Sequence, residues 1–235
     1  MINENNQLFF SDKIEHDYEF DYNIKLNNQN YRKYLKIENQ LSFDEFCIFF
    51  KNNETQINDE INSIKKEYLY KSNMHGFNHN VKVLIFGFYL TKKYNLDSID
   101  TRIILDACKY HDIGRINDLY DEKHGLNSAK KIGEVVDAKI YETEENINIL
   151  KAIVEFHSIP DKMIFKVIKK YGVDIERFKL LAFILKDVDG LDRVRTSINN
   201  KTFSDLNPKY LRLEESKKLV KISHIINYIF SKRVK

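Results

Sequence analysis

The residues best suited to chemistry in this 235-residue chain are histidines and aspartates. An adjacent pair, His111-Asp112, stands at the end of an apolar helical pattern in the string Tyr110-His111-Asp112-Ile113-Gly114-Arg115. Neutral imidazole and carboxylate oxygens are suitable ligands for iron, manganese, zinc or cobalt. Five of the seven histidines lie in the central part of the chain, around this pair: His75, His79, His111, His124 and His157. This grouping predicts a metal centre.

Four apolar stripes with helical spacing continue into one of these polar residues or into an aspartate. The stripes are Val83, Phe86 and Leu90 with His79, Ile104 and Cys108 with His111, Ile147, Leu150 and Val154 with His157, and Phe178, Leu181 and Leu185 with Asp189. Residues three or four apart share one face of a helix, so each of the four polar side chains is expected to face the core. Strand signals are weak throughout. The sequence therefore predicts an all-α helical bundle in which four helices each deliver a ligand.

Glycine is scarce, and its placement follows the candidate ligands. Four of the seven glycines, Gly76, Gly114, Gly125 and Gly190, lie within three residues of one of them. Glycine permits close backbone approach and left-handed conformations. We therefore expect tightly packed helix ends around the centre.

The segments before and after this core are predicted to pack around it. Residues 1–71 are expected to form an N-terminal arm and framing helices, 72–200 the metal-binding core, and 201–235 a C-terminal helix that packs on it. Ser42 is a plausible helix cap. The framing stripe is Phe43, Phe46, Phe50, Ile57, Ile61, Ile64 and Tyr68, and the stripe of the last helix is Leu211, Leu219, Ile222, Ile226 and Ile229.

Composition favours a cytoplasmic protein that does not use nucleic acid as its main partner. The formal net charge is +3 and no dense Lys/Arg block occurs, so nucleic acid is possible but not favoured. Cys47 and Cys108 are distant from each other and set among apolar residues, which indicates free thiols in a reducing compartment. Neither an export signal nor an apolar stretch long enough to span a membrane is visible, so no membrane association is expected.

Three strings resemble the HD-domain metal-dependent phosphohydrolase superfamily, named for its His, His-Asp and Asp metal motif. They are His75-Gly76-Phe77-Asn78-His79, His111-Asp112-Ile113-Gly114-Arg115 and Asp187-Val188-Asp189-Gly190-Leu191-Asp192-Arg193, within roughly residues 72–197. The resemblance implies an HD-domain bundle with His79, His111, Asp112 and Asp189 as ligands. Asp187 is the alternative to Asp189 in register.

Two further histidines resemble the subset of this superfamily that binds two metals. His124 opens the string His124-Gly125-Leu126-Asn127-Ser128-Ala129, and His157 closes Val154-Glu155-Phe156-His157. The subset implies that His124 and His157 hold a second ion and that Asp112 bridges both. The chain differs from the cyclic-di-GMP phosphodiesterase branch, because Phe156-His157 stands where that branch has paired histidines and its Gly-Tyr-Pro element is absent.

The predicted chemistry is phosphoester hydrolysis of a small phosphorylated substrate, a nucleotide being favoured. Two divalent ions per chain, drawn from Fe, Mn, Zn, Co, Ni or Mg, would activate a water and stabilise the charge that develops on phosphorus. Asp112, Arg115 and Arg193 are the predicted catalytic residues, the two arginines through two-point contacts to phosphate oxygens. Lys186 is a weaker candidate for phosphate binding.

Other interpretations stay open at this stage. His75 is interpreted as a hydrogen-bonded core residue that supports His79 from one turn away. A single-strand nuclease would use the same centre, as would a di-iron oxygenase with the same ligand pattern. A sensor that binds a nucleotide without turning it over is the non-enzymatic alternative.

Overall fold

The computed structural model describes residues 39–195 and 206–231. Within these ranges the chain forms α-helices and short 3-10 turns and no strand, which confirms the predicted all-α class. The α-helices are α1 Phe43–Asn52, α2 Glu54–Asn62, α3 Phe77–Lys93, α4 Ser98–Tyr110, α5 His124–Val135, α6 Glu144–Phe156, α7 Ile164–Tyr171, α8 Ile175–Leu191, α9 Glu214–Lys217 and α10 Val220–Ser231. No helix in these ranges is both long and apolar enough to cross a membrane.

The described residues group into two compact units. One is Ile64–Asp189, and the other consists of the described parts of Met1–Ser63 and of Gly190–Lys235. Every ligand predicted from the sequence belongs to Ile64–Asp189. Of the N-terminal segment predicted over residues 1–71, residues 1–38 lie outside the described residues, as do the last four residues of the chain.

Helix α3 is the central element of the unit Ile64–Asp189. All its residues from His79 to Thr91 are buried, which is the pattern of a helix surrounded by protein. It packs along α4, α4 packs against α6, and α6 packs along α5. Side-chain caps fix where two of these helices begin, because Asp97 accepts a hydrogen bond from the backbone N–H of Asp100 in α4, and Thr143 accepts one from Asn146 in α6.

The cap and most of the stripe positions predicted for the framing and C-terminal helices are confirmed. Tyr68 is the exception: it is 40% exposed, because α2 ends at Asn62 and Tyr68 lies on the separate 3-10 turn Lys66–Tyr68, so the helical spacing does not extend to it. Ser42 and Glu45 form a capping box at the start of α1. The buried members of the stripes are Phe43, Phe46, Phe50, Ile57 and Ile61 near α1 and α2, and Leu211, Leu219, Ile222, Ile226 and Ile229 in the C-terminal part. The single terminal helix predicted after Pro208 is instead divided into a 3-10 turn, the short α9 and α10.

Candidate metal centre

The His111-Asp112 pair lies where α4 ends and a tight turn begins. The N–H of His111 still donates to Ala107 in helical fashion, and the N–H of Arg115 donates to the carbonyl of Asp112 at 3.0 Å. Both residues are buried, with His111 at 0% and Asp112 at 2% relative exposure. The apolar stripe of α4 therefore delivers an imidazole and a carboxylate to the interior, as predicted.

Glycines allow three ligand-bearing segments to meet at this turn. A Cβ on Gly114 would lie 2.2 Å from the backbone nitrogen of Ser128 and 2.6 Å from the carbonyl oxygen of His124, so the turn packs directly on the start of α5. A Cβ on Gly125 would lie 2.7 Å from the carbonyl oxygen of Glu155, so α5 packs equally closely on the end of α6. The buried hydroxyl of Ser128 accepts the N–H of Gly114 at 2.8 Å. These contacts bring His124 and His157 to the His-Asp turn.

The first half of the cluster combines side chains from α3, α4 and α8. The Nε2 atoms of His79 and His111 are 3.0 Å apart. Asp189 Oδ1 lies 3.5 Å from His79 Nε2 and 3.9 Å from His111 Nε2. Asp112 Oδ2 lies 3.6 Å and 3.7 Å from the same two nitrogens. Each of the two imidazole nitrogens thus lies close to one oxygen of Asp112 and one oxygen of Asp189.

The second half gathers on the other oxygen of Asp112. The Nε2 atoms of His124 and His157 are 2.9 Å apart. Asp112 Oδ1 lies 3.3 Å from His124 Nε2 and 3.5 Å from His157 Nε2. The carboxylate therefore presents one oxygen to each pair of histidines.

Backbone carbonyls fix the tautomer of three of these imidazoles. The Nδ1 atoms of His111, His124 and His157 contact the carbonyl oxygens of the residues three positions earlier, Cys108, Asp121 and Val154. A carbonyl oxygen only accepts, so in each neutral ring Nδ1 carries the proton and Nε2 carries the lone pair. Imidazoles that ligate metals are oriented by such contacts to the other ring nitrogen.

Lone pairs that face each other repel, and a positive charge near them relieves the repulsion. His124 Nε2, His157 Nε2 and Asp112 Oδ1 are all acceptors, and their mutual distances of 2.9, 3.3 and 3.5 Å leave them repelling one another unless positive charge lies among them. Metal–ligand bonds of about 2.1 Å at right angles would place two ligand atoms about 3.0 Å apart. The distances between the paired Nε2 atoms match that value. The donor set therefore fits a metal ion.

Protonation at neutral pH also suits metal binding. The pKa of His111 is lowered to about 4, chiefly by burial of the ring and against the opposing charge of Asp112. Burial alone would raise the pKa of Asp112, but the surrounding imidazoles, with His111 the largest influence, hold it well below its ordinary value. Neutral imidazole and ionised carboxylate are the forms that bind metal.

His75 has a closer role than the sequence indicated. Its Nδ1 lies 3.0 Å from Asp112 Oδ2, so it contacts the central carboxylate directly and is not merely a support for His79. Three groups within the described residues could hold a metal ion, namely His75, His79 and Asp112; His79, His111 and Asp189; and His111, Asp112 and His157. His75 lies before the first residue of α3, Phe77, so helical spacing relative to His79 could not indicate this contact.

The basic residues near the motifs differ in where they lie. Arg115 reaches the cluster, with Nε 2.9 Å from Asp112 Oδ1 and Nη2 3.3 Å from His124 Nε2. Lys186 instead directs its ammonium to Asp161 and to the carbonyl of Ile159, at 2.7 and 2.6 Å. Arg193 is exposed, on the 3-10 turn Asp192–Arg195 of the other unit, and its phosphate contact stays a prediction.

In comparisons with models of protein families, with curated proteins and with solved structures, the chain matches none. The donor set is a buried group of histidines and aspartates that could hold a metal ion.

Proposed function

We propose that this protein is a metal-dependent phosphohydrolase that acts on a small phosphorylated molecule, with nucleotides as the favoured class. The observation that carries the proposal is the placement of Asp112, whose two oxygens face two separate histidine pairs. The motif strings around His79, Asp112 and Asp189, which resemble those of HD-domain phosphohydrolases, give further support. We propose two ions per chain and action in the cytoplasm.

The roles of the residues follow from their contacts. His79, His111 and Asp189 would hold one ion, His124 and His157 the other, and Asp112 would contact both. Divalent cations bound there supply Lewis acidity for the attack of water on phosphorus. His75 and Arg115 orient the Asp112 carboxylate through contacts of 3.0 and 2.9 Å. Arg115 also provides positive charge for a phosphate, and the phosphate contact of Arg193 stays a prediction from the sequence.

The test is a hydrolysis assay on purified protein whose metal content has been measured. The protein would be loaded separately with Mn, Fe, Co, Ni, Zn and Mg and given nucleoside mono-, di-, tri- and cyclic phosphates together with a general phosphoester. We expect turnover of at least one compound, reduced at least about 100-fold by His79→Ala, since even residues that only orient ligands contribute 10- to 100-fold. His224→Ala, a histidine in α10 outside the cluster, is the matched control.

Other results would redirect the assignment. Dioxygen uptake by the iron-loaded protein without hydrolysis would indicate an oxygenase with this ligand set. Degradation of single-stranded nucleic acid alone would indicate a nuclease. Nucleotide binding without turnover under every metal would indicate a sensor, and each of these three results would contradict the proposal.

A further inference from the structure

Arg115 contacts the same two atoms that a second metal ion would need. Its Nε is 2.9 Å from Asp112 Oδ1, and its Nη2 is 3.3 Å from His124 Nε2. Because His124 Nδ1 faces the carbonyl of Asp121, the lone pair on Nε2 is the acceptor in the Arg115 contact. The guanidinium therefore supplies positive charge to the His124 and His157 half of the cluster.

This contact is confined to one half. Asp112 Oδ2, the oxygen shared with His75, His79 and His111, faces away from the Arg115 contact. A metal ion held by His79, His111 and Asp189 can bind while Arg115 keeps its position. A metal ion between His124 and His157 must instead compete with the guanidinium for Asp112 Oδ1 and His124 Nε2, and the two positive charges repel.

The segment that carries Arg115 offers little resistance to an outward swing of the side chain. Beyond its contacts with Asp112 and His124, the guanidinium makes a weak hydrogen bond of 3.4 Å to the carbonyl of Leu119. The following side chains are open to solvent, with Ile116, Leu119 and Tyr120 at 79%, 73% and 86% relative exposure. An anion that reaches the rim from solvent would meet a planar guanidinium suited to phosphate oxygens.

We propose that Arg115 acts as an exchangeable cation that couples phosphate binding to binding of the second metal ion. While Arg115 holds Asp112 Oδ1 and His124 Nε2, the second ion binds weakly. A phosphate group that draws the guanidinium away frees both atoms for the ion, and by linkage the ion strengthens phosphate binding by the same factor. The phosphate part rests on the proposed function, whereas the competition between Arg115 and the metal does not.

The test measures Mn²⁺ binding by electron paramagnetic resonance of the free ion, with and without inorganic phosphate. Wild type is compared with Arg115→Gln and with the control Arg177→Gln, which breaks an ion pair to Asp100 in the same unit but outside the cluster. We expect a tight and a weak site in wild type. Arg115→Gln should raise the Mn²⁺ affinity of the weak site by about 5- to 150-fold, the usual size of an energetic coupling between two binding sites. Phosphate should tighten it in wild type and in Arg177→Gln but not in Arg115→Gln.

Arg115→Lys distinguishes this role from a structural one. A lysine keeps the charge near Asp112 but lacks the planar fork, so it should preserve a weak second site and lose most of the phosphate effect. An unchanged tight site in every variant would show that the cluster is intact.

The inference is overturned if Arg115→Gln leaves the Mn²⁺ affinity of the second site unchanged or lowers it. It is also overturned if phosphate changes that affinity equally in wild type and in Arg115→Gln. Failure of this inference is distinguishable from failure of the proposed function. The inference is decided by the Mn²⁺ affinities of the second site in wild type and Arg115→Gln. The proposed function is decided by hydrolysis with each metal. Binding of a single Mn²⁺ by all four proteins would overturn the inference and leave hydrolysis to be judged separately.

Discussion

Asp112 presents one carboxylate oxygen to His79 and His111 and the other to His124 and His157. Its buried charge is balanced by groups from several elements, among them His75 and Arg115. Removal of one partner from a buried charge pair costs about 3–5 kcal/mol, because the remaining charge is uncompensated. At the scale of the residue, the centre is therefore most sensitive to changes at Asp112.

Ligand substitutions should reduce metal content unequally. We expect Asp112→Asn to lower metal occupancy of both halves of the cluster, because the Asp112 carboxylate contacts both histidine pairs. Metal should be lost from the first half of the cluster, and bound more weakly in the second, in Asp189→Asn, His79→Ala and His111→Ala. Occupancy should fall toward one ion per chain in His124→Ala and His157→Ala. Elemental analysis and Mn²⁺ titration measure this.

Asp187→Asn serves as the control for register. Asp189, and not Asp187, approaches His79 and His111, so Asp187→Asn should retain metal at wild-type occupancy once circular dichroism shows that the variant is folded. Loss of metal in Asp187→Asn with retention in Asp189→Asn would contradict the observed register. Binding of a single ion in wild type, unchanged in His124→Ala and His157→Ala, would contradict the two-ion assignment.

Helical spacing predicts which candidate ligands face the core but not which side chains they contact. Helical spacing shows which face a residue occupies, so His79, His111, His157 and Asp189 could be assigned to the interior. It does not show which atoms from other helices lie opposite. The contact of His75 with Asp112, a residue 37 positions away, and the path of the Arg115 guanidinium depend on the packing of separate helices.

At the scale of the element, the packing of α4, α5 and α6 depends on glycines. Gly114 lets the backbone of the His-Asp turn approach α5 more closely than a residue with a Cβ atom could. Gly133, which lies within α5, offers a contrast, because a methyl group added there would meet no atom within 4 Å. The two positions test whether close approach, and not glycine content, maintains the centre.

We expect Gly114→Ala to destabilise the protein and weaken metal binding. The added methyl group would overlap Ser128 and His124 backbone atoms at 2.2 and 2.6 Å, and overpacking of this kind costs about 1–3 kcal/mol or more. Gly133→Ala should instead stabilise by about 0.5–1 kcal/mol, because alanine is favoured over glycine within a helix. Chemical denaturation and Mn²⁺ titration check both. Equal stability of Gly114→Ala and wild type would refute the packing argument.

The contact between α3 and α4 permits a double-mutant test. A Cβ on Gly87 would lie 2.5 Å from the sulfur of Cys108, so Gly87→Ala should cost about 1–3 kcal/mol. Cys108→Ala removes that sulfur and should make the Gly87→Ala change much less costly. Unfolding free energies of the two single variants and the double variant give the coupling. Additive costs would show that Cys108 is not the obstacle.

Element boundaries were less predictable than element faces. The stripe Leu211, Leu219, Ile222, Ile226, Ile229 is buried as expected, but the backbone is interrupted between α9 and α10. Periodicity constrains which side chains face inward and is satisfied by one helix or by two short ones. Ser216 is also buried there, which a single amphipathic stripe did not indicate.

At the scale of the whole molecule, metal should stabilise the fold. All six proposed ligands come from one compact unit and bring together side chains up to 110 positions apart, from 79 to 189. A ligand that binds only the folded chain adds about 2.7 kcal/mol of stability at a concentration of 100 Kd. We expect chelation to lower the unfolding midpoint of wild type and to leave that of Asp112→Asn unchanged. Thermal unfolding with and without chelator measures this, and an identical shift in both proteins would contradict it.

Acid should destabilise the chain through His224 as well as through the cluster. Burial lowers the pKa of His224 from 6.5 to about 4. Between these values the unfolded chain binds a proton that the folded chain does not, so stability falls as pH falls from about 6.5 to about 4. The contribution is about 2 kcal/mol after allowance for partial exposure.

Denaturation of wild type and His224→Gln at pH 7 and pH 4.5, with chelator in every sample, isolates this contribution. His224→Gln should lose less stability than wild type over this interval, because glutamine takes up no proton. Equal losses in the two proteins would exclude His224 as a source of acid sensitivity.

The contacts from the Nδ1 atoms of His111 and His157 to backbone carbonyls link these candidate ligands to the ends of their own helices. Cys108 and Val154 lie in the last turns of α4 and α6, where carbonyls lack a helical N–H partner. His111 and His157 thus act as caps of their own helices, each contact being worth about 0.5–1.5 kcal/mol. Their replacement by alanine will fray a helix end at the same time as it removes a ligand. His79 lies within α3, so its truncation is the cleaner way to separate metal loss from loss of helical order.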